Sequence, residues 1–291
     1  MHRIRNCPIC GSITTSITFP YATQFNSLQF KYYRCSNCSS VSVNPVPDNH
    51  TFSKMYSRDV YHDRYYVDKK DSNYQDSVNL LKKYIDEGAT VLDYGCGIGG
   101  FLKELEAGNF FPFGVEFDKK AISYAKDNVS CNVWSVDQFI ELRSKLTFDV
   151  IHLGDVLEHL PDPLITLNKL LRYLKSGGIL FVEGPLEINP SPVYWVAHIF
   201  GVVKRMLKPN FIANHAPTHL FRTGAKQQLM FFEHLNSLLD LKYWRVYETG
   251  WPYSEGGIVK VGISKIAVLL SGKNILGMTF GNRFQALFRK N

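Results

Sequence analysis

Four cysteines near the start of the chain have the spacing of metal ligands. Cys7 and Cys10 form "CPIC", Cys35 and Cys38 form "CSNC", and 24 residues separate the two pairs. Each C-x2-C pair places two thiolates on one tight turn, and two such turns complete a tetrahedral Zn²⁺ site. Because all four ligands come from the protein, the predicted zinc is structural. The alternative, four buried thiols without metal, explains the paired spacing poorly.

A second chemical feature is the glycine-rich stretch "VLDYGCGIGG". Gly95, Gly97 and Gly99 would let a ligand approach the backbone where side chains would block it. Such turns bind phosphates, dinucleotides or S-adenosylmethionine, and Gly95, Gly97 and Gly100 also satisfy the nicotinamide pattern. Asp93, at the end of the preceding strand, favours a ligand with an amino group. The alternative is a strand-to-helix turn that needs glycine for its geometry alone.

The elements that must position these residues alternate between strand and helix from residue 90 onward. Strands are predicted in "TVLDYG", "FPFGVEFD", "CNVWSV", "FDVIHLGD" and "ILFVEGP", with helices between them. This alternation predicts a parallel sheet with helices on both faces. After an irregular segment, a further helix and two closing strands, "LKYWRVYETG" and "GIVKVGISKIAVLL", are expected. The predicted fold class is therefore α/β, with a Rossmann-like seven-stranded sheet and a small N-terminal zinc ribbon.

Residues 90–186 resemble class I S-adenosylmethionine-dependent methyltransferases. "VLDYGCGIGGFL" resembles their first motif, Glu116 in "GVEFD" resembles the acid that holds the ribose hydroxyls, and Asp137 in "SVDQF" resembles the residue near the adenine amino group. "FDVIHLGDVLEHLPDP" and "LKSGGILFVEGP" resemble the fourth-strand and fifth-strand motifs. The resemblance implies S-adenosylmethionine as cofactor, held by Asp93, Gly95, Gly97, Gly99, Glu116, Asp137 and Asp155.

The likeness extends beyond the sheet. A two-knuckle zinc ribbon, an "NPVP" break and a "HLFRT" segment are similar to features of bacterial zinc-ribbon methyltransferases of sugar and secondary-metabolite pathways. This broader likeness covers most of residues 1–250. It implies the cofactor and the fold, whereas the substrates of that subgroup are diverse.

Several histidines are candidates for a base that would deprotonate the methyl acceptor. Methyl transfer from a sulfonium depends mainly on alignment, but a hydroxyl or carbon acceptor still needs a base. The predicted catalytic residues are His159 in "LEHLP" and His219 in "THLF", with His215, Asp155 and Glu158 as alternatives. His159 follows the fourth strand, at the edge where open α/β sheets bind ligands. The competing interpretation of His159 is a helix-start residue bonded to backbone.

Four segments are expected along the chain. They are a zinc ribbon at 1–48, a helical connector and cofactor lid at 49–87, the methyltransferase domain at 88–270 with a substrate lid at 187–222, and a basic tail at 271–291. Tyr65 and Tyr66 are expected either to fold over the cofactor or to pack the connector against the main domain. His152, inside a strand, is predicted to be a core residue.

Net charge and hydropathy limit where the protein can be located and which partners it can bind. The chain has 33 Lys and Arg against 26 Asp and Glu, a net charge of +7, which fits an anionic partner or ordinary solubility equally well. The start lacks the apolar run of a signal peptide, and no stretch reaches the ~18 apolar residues of a membrane span. A cytoplasmic protein is predicted, and its oligomeric state is left open. "YWVAHIFGVVKRMLK" and the basic tail suit contact with the inner membrane face, although a lid packed on the domain explains the first segment as well.

The predicted function is methyl transfer from S-adenosylmethionine to oxygen or carbon of a small molecule, such as a sugar or a sugar-linked or lipid-linked metabolite. One alternative is an RNA-modifying enzyme that grips RNA with the zinc ribbon. Lys31 and Arg34 are the only basic residues between the cysteine pairs, fewer than an RNA-binding surface usually has. The fourth-strand motif also differs from Asn/Asp-Pro-Pro-Tyr, the motif that aligns the amino groups of bases, so both features argue against a nucleic-acid substrate. Another alternative is a non-catalytic cofactor-binding partner protein, against which the retained glycine motif, Glu116 and Asp137 argue.

Overall fold

The computed structural model describes residues 6–56, 72–142, 146–235 and 239–291. Tyr65 and Tyr66, predicted as cofactor lid residues, lie outside them. The described residues form a seven-stranded sheet, a five-stranded sheet and a short hairpin. No helix in this described part of the chain has the length and apolarity that crossing a membrane requires.

The strands and helices are numbered in chain order. The strands are β1 (Thr14–Phe25), β2 (Leu28–Cys35), β3 (Val41–Asn44), β4 (Thr90–Tyr94), β5 (Phe111–Glu116), β6 (Val133–Ser135), β7 (Phe148–Gly154), β8 (Leu174–Pro185), β9 (Ala213–Asn214), β10 (Phe221–Arg222), β11 (Leu239–Tyr247), β12 (Asn274–Ile275), β13 (Met278–Thr279) and β14 (Arg283–Lys290). The α-helices are α1 (Asn49–Met55), α2 (Ser72–Leu81), α3 (Gly100–Ala107), α4 (Lys119–Asn128), α5 (Val136–Glu141), α6 (Pro163–Leu170), α7 (Pro192–Leu207), α8 (Ala225–Leu235) and α9 (Ile258–Leu269). Short 3-10 turns cover Leu157–His159 and Tyr253–Glu255.

The seven-stranded sheet has the order β11-β14-β8-β7-β4-β5-β6. Strands β4 to β8 pair in parallel, whereas β14 runs antiparallel to both of its neighbours. The chain builds β5 and β6 on one side of β4 and then returns to build β7 and β8 on the other side. This reversal opens a crevice at the carboxyl ends of β4 and β7, the usual ligand position in open α/β sheets. The predicted α/β fold with seven strands is confirmed.

The end of the chain differs from the prediction. "GIVKVGISKIAVLL" forms helix α9, and the seventh strand is β14, inside the segment predicted as a basic tail. β-branched residues favoured a strand in the first segment, but its small residues Ser264 and Ala267, three positions apart, are buried on one helical face. β14 lies between β8 and β11 and is buried over five consecutive residues, so it lacks the polar alternation that would have marked a strand.

The five-stranded sheet joins two parts of the chain that are far apart in sequence. Its order is β10-β3-β2-β1-β9, so two strands from the predicted substrate lid, 187–222, flank three strands from the N-terminal segment. Phe221 of β10 pairs opposite Ser42 of β3, and β9 runs parallel to β1. The lid segment was expected to be irregular, but it contains α7 and these two strands. A strand of two residues has too little sequence for a hydrophobic period.

The core lies on both faces of the seven-stranded sheet because successive side chains of a strand point to opposite faces. Leu92, Ile151 and Leu180 face the side that also buries α6 and α8. Val91, Val150 and Phe181 face the side that buries α2 and α3. Since β4 to β8 pair in parallel, their carboxyl ends lie at one edge of this sheet.

Candidate functional site

The glycine turn connects the end of β4 to the start of α3. Gly95 and Gly99 have φ values of +89° and +90°, in the left-handed region that favours glycine. A Cβ at Gly95 would collide with the side chain of Val156. Gly95 is therefore required where the turn packs against the segment that follows β7, and this packing brings His159, three residues after Val156, to the border of the crevice.

Glu116, at the end of β5, lies beside this turn. Its Oε2 accepts a hydrogen bond from the Gly97 amide at 2.8 Å, and its Oε1 accepts from the amides of Phe117 at 2.6 Å and Asp118 at 2.9 Å. Burial raises the pKa of the Glu116 carboxyl, and the three amide donors oppose this effect. The carboxylate thus stands at the carboxyl ends of β4 and β5, the place expected for the ribose-binding acid.

Asp137 occupies the corresponding edge position one strand further along. It lies in the first turn of α5, directly after β6, and its side chain is exposed. The carboxyl ends of β4, β5 and β6 therefore present Gly97, Glu116 and Asp137 in strand order along one edge of the sheet.

Asp93 makes a contact that the sequence did not predict. Its Oδ1 lies 2.8 Å from Nδ1 of His152, and His152 Nε2 lies 3.4 Å from Oε1 of Glu183. Burial alone would lower the pKa of His152, but the hydrogen bond to Asp93 and the charges of Asp93 and Glu183 outweigh it and raise the pKa to about 9. His152 is buried as predicted, yet it is a cation between two anions rather than a packing residue.

The same buried network continues across the sheet. Glu183 accepts hydrogen bonds from Oγ of Ser77, at 3.0 and 2.9 Å, and from Nε2 of Gln285 at 2.9 Å. It therefore links β4, β7, β8, β14 and helix α2 beneath the glycine turn. Asp93 and His152 are adjacent partners in the β4–β7 register, a pairing that becomes visible only once the strand order is known.

Asp155 follows β7 in a left-handed conformation with φ of +53°. Its Oδ1 lies 2.7 Å from Nη2 of Arg283, a residue of β14. Its backbone amide donates to the carbonyl of Glu183 at 3.0 Å. The predicted cofactor residue is thus placed at the crevice edge and is held there by the seventh strand.

His159 and His219, the two residues predicted as catalytic, lie side by side. Their ring centroids are 4.8 Å apart in an edge-to-face arrangement. Nδ1 of His159 lies 2.7 Å from the Thr218 carbonyl oxygen, which only accepts hydrogen bonds, so Nδ1 carries the proton and Nε2 the lone pair. Burial and the neighbouring His219 lower the pKa of His159 to about 3, so this ring is neutral at neutral pH.

His219 is oriented by a carboxylate. Its Nδ1 lies 2.8 Å from Oε2 of Glu187, and Arg222 Nε lies 3.5 Å from the other oxygen of Glu187. Burial would raise the pKa of Glu187, but Arg222 and His219 outweigh it and lower the pKa to about 2. Burial would lower the pKa of His219, and the charge of Glu187 raises it above its ordinary value instead. His215, the other candidate histidine of this segment, is exposed and bonds the Ala216 carbonyl.

Glu158 completes a cluster with the two histidines. The potential ligand atoms of Glu158, His159 and His219 all lie within 4.8 Å of one another. Burial raises the pKa of Glu158 to about 7. With both Nδ1 atoms bonded elsewhere, the two Nε2 atoms and one carboxylate form a donor set that suits either a proton acceptor or a divalent cation.

Helix α1 and Tyr56, the residue directly after it, contribute two contacts that sequence reasoning missed. The hydroxyl of Tyr56 donates to the Thr218 carbonyl at 2.6 Å and lies 2.8 Å from Nδ1 of His159. Phe52 packs edge-on against Phe117, next to Glu116, with ring centroids 5.3 Å apart. The connector thus contacts Phe117, next to Glu116, and also His159. The dense aromatic composition of residues 52–66 was the signal available in the sequence.

The four N-terminal cysteines converge as their spacing predicted. Sγ of Cys7 lies 3.6 Å from that of Cys38, and Sγ of Cys10 lies 3.5 Å from that of Cys35. All four sulfur atoms lie within 4.8 Å of one another. Zinc–sulfur bonds of about 2.3 Å in a tetrahedron require sulfur atoms a little under about 4 Å apart, so the donor set fits Zn²⁺.

A family model described as a methyltransferase domain matches residues 66–256, more than half of the chain. The chain belongs to this methyltransferase family. The sheet order and the glycine turn described above are consistent with that membership.

Curated relatives match smaller parts of the chain. A protein named ubiquinone biosynthesis O-methyltransferase, from Nitrosomonas europaea, is 31% identical over 139 residues, which are 43% of this chain and 57% of that protein. A protein of the same name from Coxiella burnetii is 34% identical over 110 residues, 34% of this chain and 47% of that protein. The ribosomal protein L11 methyltransferase of Neisseria meningitidis is 34% identical over 120 residues, 38% of this chain and 39% of that protein. The chain spans about half the length of the curated relatives it matches.

Solved structures resemble the chain more distantly. A SAM-dependent methyltransferase from Archaeoglobus fulgidus aligns with a TM-score of 0.48 and 16% identity, over 76% of this chain and 95% of that one. A TehB-like SAM-dependent methyltransferase from Corynebacterium glutamicum aligns with a TM-score of 0.47 and 18% identity, over 84% of this chain and 100% of that one.

Proposed function

We propose that the protein transfers a methyl group from S-adenosylmethionine to a hydroxyl oxygen of a small molecule. The observation that carries this proposal is the pair His159 and His219: His159 follows Val156, which packs against Gly95 of the glycine turn, and His219 has an orienting carboxylate. An amine acceptor can react as a neutral nucleophile, whereas a hydroxyl must lose its proton as the bond to the methyl group forms. A base at the crevice therefore favours oxygen.

The chain's own residues have separate tasks in this proposal. Bound S-adenosylmethionine supplies an activated methyl group on a sulfonium. Glu116 would accept hydrogen bonds from the ribose hydroxyls, Asp137 would lie near the adenine, and the Gly95–Gly99 turn would let the methionine end approach the backbone. Asp93 and Asp155 complete the proposed cofactor set at the ends of β4 and β7.

His219 is the better proton acceptor of the two histidines. Burial lowers the pKa of His159 to about 3, whereas at His219 the charge of Glu187 outweighs burial and raises the pKa, so His219 is the more basic ring. Glu187 holds the ring through Nδ1 and stabilises the cation formed at Nε2. Neutral His159 lies edge-to-face with it and, fixed by Thr218 and Tyr56, shapes the acceptor site.

The substrate class is proposed from chemistry and from the names of relatives. Two of the relatives are named for O-methylation in ubiquinone biosynthesis, which favours a small-molecule acceptor for this chain as well. We propose a sugar hydroxyl or a hydroxyl on a lipid-linked metabolite. The zinc at Cys7, Cys10, Cys35 and Cys38 is proposed to be structural.

The test combines labelled S-adenosylmethionine with nucleotide sugars and with phenols that carry isoprenoid tails. On an acceptor that is turned over, His219→Gln should lower turnover by ~10²–10⁴-fold, as expected for a lost general base. Cofactor affinity should stay nearly unchanged, because Glu116 lies at the end of β5 and Gly97 in the turn after β4, away from the segment that carries His219. His215→Gln, a change at an exposed histidine of the same segment, is the matched control and should keep full turnover. Full turnover in a His159→Gln, His219→Gln double variant would exclude both residues as the base.

The donor set of Glu158, His159 and His219 supports a second version of the same function, in which a divalent cation binds the acceptor oxygen and lowers the pKa of the hydroxyl. Turnover measured after chelation, and again after adding Mg²⁺ or Mn²⁺, separates the versions. Loss and recovery of turnover would support the cation, whereas unchanged turnover would leave His219 as the base.

A further inference from the structure

Helix α7 carries a stripe of apolar side chains that faces solvent. The exposed residues fall three or four positions apart, as one helical face requires: Trp195, Val196, Ile199, Phe200, Val203, Met206 and Leu207. The opposite face packs inward through Val193 and Gly201. An isolated exposed apolar residue is ordinary on a protein surface, but a continuous stripe along a helix marks a binding surface.

Helix α9, which contacts α7, repeats this arrangement. Ile258, Val259, Ile266 and Leu269 are exposed, while Ser264 and Ala267 are buried. The hairpin β12–β13 follows directly, and Leu276 at its tip is 93% exposed. A fully exposed leucine at the tip of a tight hairpin gains nothing from packing within this fold.

The exposed apolar residues are concentrated in these two regions. Of the 27 large apolar side chains that are exposed in the described part of the chain, nine lie within 195–212 and nine within 251–278. Together these regions are a small part of the sequence, so the exposure is local rather than spread over the surface. We call α7, α9 and the β12–β13 hairpin the apolar face.

The charged side chains within the apolar face are all cationic, and the exposed acid Glu255 lies beside it, in the 3-10 turn that contacts α9. Residues 188–232 and residues 256–291 contain no Asp or Glu. Cationic residues border the stripes: Lys204, Arg205, Lys208, Lys260, Lys265 and Lys273. Other basic residues near the C-terminus are bonded within the fold, since Arg283 pairs with Asp155 and Lys290 donates to the carbonyls of Leu171 and Leu174. The lysines of α9 and the hairpin, rather than the final strand, therefore supply the basic surface.

We propose that the apolar face binds the surface of a bilayer that contains anionic phospholipid. Exposed apolar stripes with lysine and arginine at their borders are the composition of helices that lie in the membrane interface, and anionic headgroups attract such cations. A second copy of this chain fits less well, because a face-to-face dimer would bring the lysines of both copies together, and the apolar face itself contains no acidic residue to pair with them.

The test uses the full chain and sedimentation with vesicles. Binding to vesicles of phosphatidylcholine and phosphatidylglycerol is expected, with much weaker binding to phosphatidylcholine alone. Ile199→Asp should reduce the vesicle partition coefficient by about tenfold or more, since it removes an exposed apolar side chain that would enter the bilayer and adds a charge that anionic headgroups repel. Lys265→Gln and Lys273→Gln should each reduce it by about fivefold.

Matched controls lie at the opposite edge of the seven-stranded sheet. Ile140 on α5 is 61% exposed, close to the 63% of Ile199, and Ile140→Asp should leave vesicle binding unchanged. Lys126→Gln on α4 is the corresponding charge control. Equal losses in Ile199→Asp and Ile140→Asp would overturn the proposal. Absence of vesicle binding together with a dimer in sedimentation velocity, dissociated by Ile199→Asp, would instead assign the face to a second copy. Because vesicle binding is measured without acceptor or cofactor, its failure is independent of the proposed methyl transfer.

Discussion

Oδ1 of Asp93 lies 2.8 Å from Nδ1 of His152, directly beneath the glycine turn. Each residue is almost fully buried, and a third charged group, Glu183, lies on the far side of the imidazole. The Asp93 carboxylate, which is expected to bind the amino group of the cofactor, is therefore held in position by the protonated imidazole of His152. His152 is a positioning residue in this arrangement, because it acts through Asp93.

The first prediction concerns cofactor affinity. His152→Gln keeps an amide donor near Asp93 but removes the positive charge, and a hydrogen bond to a charged group typically contributes ~1.5–3 kcal/mol. We expect the Kd for S-adenosylmethionine, measured by titration calorimetry, to rise about tenfold. His234→Gln, at an exposed histidine of α8, should leave it unchanged. A His152→Gln protein with a lower melting temperature but normal affinity would show that the contact serves folding alone.

The second prediction concerns pH. The pKa of His152 is about 9 in the folded chain, above the unfolded value of about 6.5. Its contribution to stability is therefore complete below about pH 6.5 and is lost as the pH rises through about 9, on the order of a few kcal/mol in total. The free energy of unfolding, measured with urea between about pH 6.5 and pH 9, should decrease with rising pH in the wild type and decrease less in His152→Gln. A parallel decline in both proteins would contradict the assigned charge.

The third prediction concerns Glu116, whose two oxygens accept three backbone hydrogen bonds around the turn. Glu116→Ala should weaken S-adenosylmethionine binding, because it removes the predicted ribose contact and also frees the Gly97 amide. Gly97→Val should weaken it by filling the space against the backbone, at a residue whose φ is +54°. Glu141→Gln, an exposed change on α5, is the control. Unchanged calorimetric affinity in both Glu116→Ala and Gly97→Val would reject this site.

Much of the fold was readable from the sequence because its parallel strands are short, buried and separated by helices. The glycine turn and the four cysteines could be named from spacing along the chain, Glu116 from the family resemblance, and His159 from its position after a predicted strand. The contact of His152 with Asp93 was not found, since it depends on which strand pairs with β4. α9 and β14 were assigned wrongly, because a β-branched amphipathic helix and a strand buried on both faces reverse the usual patterns.

The residues that orient the histidines were missed for a related reason. Tyr56 and Glu187 act on His159 and His219 from segments far away in sequence, whereas Arg222, three residues after His219, acts through Glu187. Arg222 lies over the ring of Tyr32, with 5.2 Å between its Cζ atom and the ring centroid, and it faces Glu187. The N-terminal sheet is therefore part of the scaffold for His219, a role that its cysteine spacing alone does not reveal.

The last prediction joins the zinc site to turnover. Leu220, the residue after His219, makes two backbone hydrogen bonds. Its carbonyl accepts from the amide of Val43 at 3.0 Å, and the Leu220 amide donates to the carbonyl of Glu158 at 2.8 Å. Cys38, a proposed zinc ligand, lies a few residues before Val43 and accepts a hydrogen bond from Gln227 through its carbonyl at 2.9 Å. Loss of zinc should therefore displace His219 while leaving the cofactor edge of the other sheet intact.

Metal analysis of protein prepared without chelator should find about one zinc per chain, and Cys35→Ser should remove it. Turnover in that variant should fall by ~10²-fold, the effect expected when a catalytic group is misplaced by about 1 Å, whereas the Kd for S-adenosylmethionine should stay close to that of wild type. Cys131→Ser, at a thiol outside the cluster, should retain both zinc and turnover. If Cys35→Ser loses its zinc but keeps normal turnover, the N-terminal sheet does not position His219; if cofactor affinity falls in step with turnover, the two sheets unfold together.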